Sequence, residues 1–173
     1  LGLLPIETAL TVLSNPAPVT VGAMFMVSAG LERCGAIEIL TGYFKTIAKA
    51  GYIPFLFVMI VSVAFISAFI NNTPVVVIFM PVLLSLARQM DVPASKLLIP
   101  LSYASIFGGV CTLMGTSTNI LISGIAESYD LAPFSMFELA QAGLPLLVLG
   151  TIYLMLFSRK KLPVRETLTQ ILS

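Results

Sequence analysis

Histidine and tryptophan are absent from this 173-residue chain, cysteine occurs twice, and only 10% of the residues are charged. Without histidine, the Ser-His-Asp and Cys-His nucleophilic arrangements and the common zinc sites lose their central residue together. Cys34 and Cys111 sit in or beside apolar segments, without the partner spacing of a metal or redox site, and read as small buried hydrophobes. Net charge is +1, and no basic run is interleaved with aromatics, which argues against a nucleic-acid surface. No basic leader with a cleavage site opens the chain, so no signal peptide is expected.

What remains is apolar. Hydrophobic residues make up 58% of the sequence and the mean hydropathy is +1.03, the composition of an all-α integral membrane protein. The chain opens on Leu1, and its tail from Arg165 to Ser173 turns polar without closing a domain. It is therefore expected to be a piece of a longer polypeptide, with residues 1–158 forming a transmembrane domain and 159–173 a cytoplasmic linker.

Residues 1–15, closed by Pro16 and Pro18, read as a short helix or loop leading to the membrane. The apolar run from Val19 to Leu31 is too short to cross about 30 Å of hydrocarbon unaided. Between Ala36 and Lys49, Ile37, Leu40, Phe44, Ile47 and Ala48 recur at three- and four-residue intervals, with Glu38, Lys45 and Lys49 between them. That amphipathic pattern suits a helix lying in the interface, or equally a loop helix packed on its neighbours.

Two polar interruptions then organise the rest. From Tyr52 to Ile70 the chain is nearly all apolar and long enough to span; Asn71-Asn72-Thr73-Pro74 breaks it. The arm from Val75 to Ala87, which carries Pro81, would reach only about 20 Å as a helix. The pair is thus expected to form a re-entrant helical hairpin with its tip near the middle of the membrane; the alternative is two full spans. Asp91 to Lys96 reads as a surface turn, and Leu97 to Leu113 as a helix. Gly115 to Asn119 is a second break, with a short helix from Ile120 to Glu127 after it, as in a discontinuous transmembrane helix. The bland alternative is a scaffold helix with a kink. Residues 129–138 connect to a spanning helix from Leu139 to Phe157. On this topology Lys45, Lys49, Arg88, Lys96, Arg159, Lys160, Lys161 and Arg165 share one face, and Glu127, Asp130 and Glu138 the other. The positive-inside rule makes the basic face cytoplasmic, whether or not the hairpin crosses.

Polar backbone survives at membrane depth only when buried in protein or lining a wet cavity, so the two breaks are expected to be halves of one site. Thr73 as N-cap and Pro74 at the first helical position would start the second arm at the tip, turning a positive helix end toward an anion. Thr118 or Asn119 would cap the short helix in the same way. Ser67 lies one turn before Asn71, so its hydroxyl can converge with the amide oxygen of Asn71 or Asn72 and with carbonyls freed near Gly115. Neutral oxygens of this kind suit a hard cation such as sodium. The glycine-rich stretch is not a P-loop, since no lysine follows Gly115.

Ser67-Ala-Phe-Ile-Asn-Asn-Thr-Pro74 resembles the first Ser-Asn-Thr signature of the divalent anion/sodium symporter family. Gly108-Gly-Val-Cys-Thr-Leu-Met-Gly-Thr-Ser-Thr-Asn119 resembles the broken-helix loop that follows it there, and the likeness runs over about residues 16–158. The resemblance implies the first of two inverted repeats, in a homodimer that moves its transport domain by an elevator motion. It implies a sodium ion at Ser67, Asn71, Asn72 and Gly115, and an anionic substrate at Asn72 and Thr73, with Thr116, Ser117, Thr118 and Asn119 on the loop side. Asn71 stands where the signature has serine, and the loop lacks the prolines of dicarboxylate carriers. Substrate identity thus stays open among dicarboxylate, citrate and sulfate.

The expected function is secondary transport of a small divalent anion, with sodium as coupling ion and no other cofactor, in a plasma or inner membrane. The alternatives are a proton-coupled antiporter or arsenite-type efflux carrier and, in another class, an intramembrane enzyme. All eight acidic residues lie at or beyond segment ends, which argues against the last.

Overall fold

In a computed structural model, residues 36–161 are described continuously, together with positions 19, 22, 23, 26 and 30. The readings of residues 1–15, of the run from Val19 to Leu31 and of the tail beyond 161 fall outside that continuous stretch. Six helices and no strand occur over residues 36–161: α1 (Ala36–Ala48), α2 (Tyr52–Ser67), α3 (Asn72–Gln89), α4 (Ser95–Gly109), α5 (Ser117–Ser128) and α6 (Ala140–Lys161).

The amphipathic spacing read in the first of these is used for packing. Phe44 is buried, and its ring stacks edge-on to Phe55 of α2 at 5.8 Å and tilted against Phe79 of α3 at 5.7 Å. It fills the wedge between two arms that touch each other little, while Lys45 and Lys49 stay exposed.

The second arm differs from its sequence reading. α3 runs for 18 residues, not thirteen, because Asn72, Thr73 and Pro74 already lie inside it and it continues past Ala87 through Arg88 and Gln89. Eighteen residues reach about 27 Å, so shortness no longer argues for re-entrance. Its N-cap is Asn71 rather than Thr73: the Asn71 side chain accepts from Thr73 N at 3.4 Å, which puts Pro74 third in the helix. A proline costs nothing there either, since the first four N–H groups of a helix lack intrahelical partners. The other break is also longer than read. α4 ends at Gly109, and α5 starts at Ser117 with Thr116 in the extended N-cap conformation, ahead of the expected caps Thr118 and Asn119.

α4 is the hub. It packs most extensively on α2, then on α3 and α6, and with α1 they enclose a core that includes Leu56, Met59, Leu83, Leu97, Leu101 and Leu154. Tyr52 Oη donates to the Lys96 carbonyl at 3.1 Å, so α2 and α4 start side by side. Gln89 and Met90 border the same cleft as Lys45 and Lys49, which brings the end of α3 to that level. Gly143 lies against Cys111 and Gly150 against the Phe107 ring, so α6 runs antiparallel to α4 and finishes at the same end. The bundle thus has one basic end, and the hairpin tip and the break lie together at the other.

Among the described residues, two helices are long and apolar enough to cross a bilayer, Asn72–Gln89 and Ala140–Ser158, and only 28% and 17% of them is buried inside the structure. Core helices of a water-soluble domain would be mostly covered. Phe65, Val77, Leu149 and Leu156, each at least 62% exposed, instead face outward. With the 58% apolar composition, this describes an integral membrane protein. α5 makes little contact with the other helices. It is held by the returning segment, where Phe134 N donates to Ser123 Oγ at 3.0 Å and Leu113 N to the Met136 carbonyl at 2.9 Å.

Candidate functional site

Four helix ends meet where the two breaks touch. α2 and α4 finish there, at Ser67 and Gly109, and α3 and α5 begin there, at Asn72 and Ser117. Helix C-termini present carbonyl oxygens and N-termini present N–H groups. The junction therefore offers acceptors from one pair of helices and donors from the other.

Glycines permit the approach. At Gly109 an added Cβ would land on the Asn72 carboxamide, and at Gly115 it would lie 2.6 Å from Gly109 Cα. At Gly108 it would strike the Ala64 carbonyl of α2. Backbone thus lies on backbone, with the Asn72 side chain laid over α4 where a larger residue would stand.

Side-chain bonds then lock the pieces. Ser67, fully buried, donates from Oγ to Asn72 Oδ1 at 2.7 Å, joining the end of α2 to the start of α3. Thr112, 2% exposed, donates from Oγ1 to the Ala68 carbonyl at the tip and accepts from Gly115 N at 3.0 Å. One hydroxyl therefore ties the tip to the loop and fixes the turn of the loop itself. Asn119 donates from Nδ2 to the carbonyls of Gly109 at 3.2 Å and Thr112 at 2.9 Å, pinning the first turn of α5 to the end of α4.

Of the residues singled out from sequence, Ser67, Asn72, Gly115 and Asn119 are brought together around Gly109. Asn71 is not, because its side chain turns back to cap α3. Thr73 and Thr118 are exposed, and Thr116 and Ser117 are half-buried at the start of α5. Sequence reasoning missed Thr112, Gly109 and Gly108 as working parts. The available signal for Thr112 was a hydroxyl between two glycine positions in otherwise apolar sequence.

Chemically, Ser67 Oγ, Asn72 Oδ1 and the carbonyls of Ala68, Gly109 and Thr112 form a patch of neutral oxygens. No formal charge lies among them. Such a donor set fits a hard monovalent cation better than a soft metal. The starts of α3 and α5, beside it, are where an anion is favoured.

Asn119→Ala is expected to leave two carbonyls without their donor, costing about 1–3 kcal/mol each. Asn119→Asp removes the same donors and sets carboxylate oxygens against carbonyl oxygens, so it is expected to be worse. Thermal melting of both variants in detergent checks the order, and Asp above Ala in stability would contradict the geometry.

Apolar helices open to lipid around a buried polar junction of broken helices are the layout of a membrane transport protein. The chain matches the citrate transporter family over residues 1–170 and belongs to it. It is 42% identical over 169 residues to an uncharacterized transporter of Synechocystis, a match covering 98% of this chain and 28% of that protein. It is 35% and 36% identical over 156 residues to sodium/sulfate cotransporters 1 and 2 of Chlamydomonas reinhardtii, covering 86% of this chain and 18% of each of them. The chain thus spans under a third of the length of these relatives. The matches bear out the resemblance read in the two breaks.

Proposed function

We propose that this chain is the first inverted repeat of a sodium-coupled secondary transporter for a divalent anion. The observation that carries the reading is Asn72. Its amide oxygen is held by Ser67 over Gly109, where two carbonyl ends and two N–H ends of helices converge. Sodium sits against Ser67, Asn72 and Gly115, with Asn71 holding the start of α3 in place. The anion lies on the donor side, against Asn72, Thr73 and the loop from Thr116 to Asn119. Sulfate is the substrate to try first, because two of the relatives are named for it, followed by citrate and dicarboxylates. The hairpin is re-entrant, with both arms leaving by the basic, cytoplasmic end. A second repeat completes the pocket, and the homodimer works by an elevator motion in a plasma or inner membrane.

The test is uptake of labelled sulfate and succinate into proteoliposomes of the full-length protein, with sodium exchanged for potassium. Asn72→Ala is expected to abolish sodium-stimulated uptake. Asn71→Ser, which keeps an N-cap acceptor, is expected to retain most of it, and Asn71→Ala to lose about 1 kcal/mol of stability with the cap. Uptake that ignores sodium and follows a pH gradient would instead select the proton-coupled carrier of the same superfamily. Unchanged sodium dependence in Asn72→Ala would reduce the tip to a structural turn.

A further inference from the structure

The basic end of the bundle carries a cleft that the transport reading leaves unused. Its first chamber, about 300 Å³, is lined by Lys45 of α1 and Lys49 just beyond it, Tyr52 of α2, and Gln89 and Met90 at the end of α3. A second chamber of about 320 Å³ shares Tyr52, Met90 and Val92 with it and adds Asp91 and Lys96. Both volumes sit at the low end of the range for small-ligand clefts, about 300–1,000 Å³. Asp91 offsets Lys96 in the second chamber. Among the described residues no carboxylate lines the first, so it is the cationic half.

Lys45 lies in the last turn of α1, and Lys49 follows directly on its last residue, Ala48, in a turn closed by Lys49 N donating to the Thr46 carbonyl at 3.3 Å. That helix is anchored rather than loose: Phe44, next in sequence to Lys45, is wedged between Phe55 and Phe79. The two lysines thus stand at the end of an anchored helix, beside the ends of two apolar helices. That level is where a bilayer presents its phosphates.

We propose that this cleft seats the headgroup of an anionic phospholipid, with Lys45 and Lys49 against the phosphodiester and the acyl chains on the apolar flank of the bundle. Two exposed lysines hold a soluble anion weakly, because water screens them. A lipid adds chain burial and a high local concentration at the surface, and basic pockets at the ends of membrane helices have this use.

The test uses the full-length protein in nanodiscs of phosphatidylcholine containing a minority of phosphatidylglycerol, with retained lipid counted by native mass spectrometry. The wild-type protein is expected to retain phosphatidylglycerol over phosphatidylcholine. Lys49→Gln is expected to cut that preference about fivefold, and Lys45→Gln with Lys49→Gln about 25-fold. Lys49→Arg is expected to keep it. Should the double variant fold poorly, judged by its melting in phosphatidylcholine alone, the Lys49→Gln and Lys49→Arg pair decides. No headgroup preference in the wild type, or the same preference in Lys49→Gln as in Lys49→Arg and wild type, overturns the proposal. So does complete displacement of the lipid by inorganic phosphate, which would make the cleft a site for soluble anions.

Discussion

Gly109→Ala is expected to abolish transport by the full-length protein while leaving much of its fold intact. The added methyl falls on the Asn72 carboxamide, the movable end of a side chain, with the Gly115 backbone on the neighbouring side. The carboxamide must swing away, breaking its bond to Ser67 and removing the oxygen proposed to face the coupling ion. Gly108→Ala makes the contrast. There the methyl meets the Ala64 carbonyl, backbone in the middle of the α2–α4 contact, and neither helix can yield without repacking. Overpacking of that kind costs about 3 kcal/mol, so Gly108→Ala is expected to lower the melting temperature well below that of Gly109→Ala. Sodium-dependent uptake and detergent melting measured on both variants separate the two effects. Full uptake in Gly109→Ala would mean that Asn72 has no part in the site.

Thr112→Val is the second large effect. The replacement keeps the side chain's shape but removes the hydroxyl that the Ala68 carbonyl and Gly115 N–H share. Both groups lie in a region where Thr112 and Gly115 are buried, and each unsatisfied group costs about 1–3 kcal/mol, so about 2–6 kcal/mol is at stake. Thr112→Ser keeps the hydroxyl and is expected to recover most of that loss. Amide hydrogen exchange at Gly115, slow in the wild type and in Thr112→Ser, is expected to quicken in Thr112→Val. A valine variant as stable as the wild type would mean that the hydroxyl bridges nothing.

The two breaks were legible because a bilayer leaves little freedom. Polar residues such as Asn71, Asn72 and Asn119 within apolar sequence need protein partners, and the segments around them have helical length and composition. Helix ends were less legible. The apolar run that placed the start of the second arm at Val75 does not register the first turn of α3, where N–H groups take partners from side chains such as Asn71.

From sequence alone came the membrane class, the number and order of the main helices, the gathering of basic residues at one end, and the two polar segments as a pair. These follow from local composition, which a chain carries in every short window. The tertiary structure decided which oxygens share the junction. Asn72 belongs to it and Asn71 does not, a difference of about 100° around a helix start that hydropathy does not register. It also brought in Thr112 and the glycines at 108 and 109. Their roles exist only because residues distant in the chain come to lie against them: Ala68 against Thr112, Ala64 against Gly108 and Asn72 against Gly109.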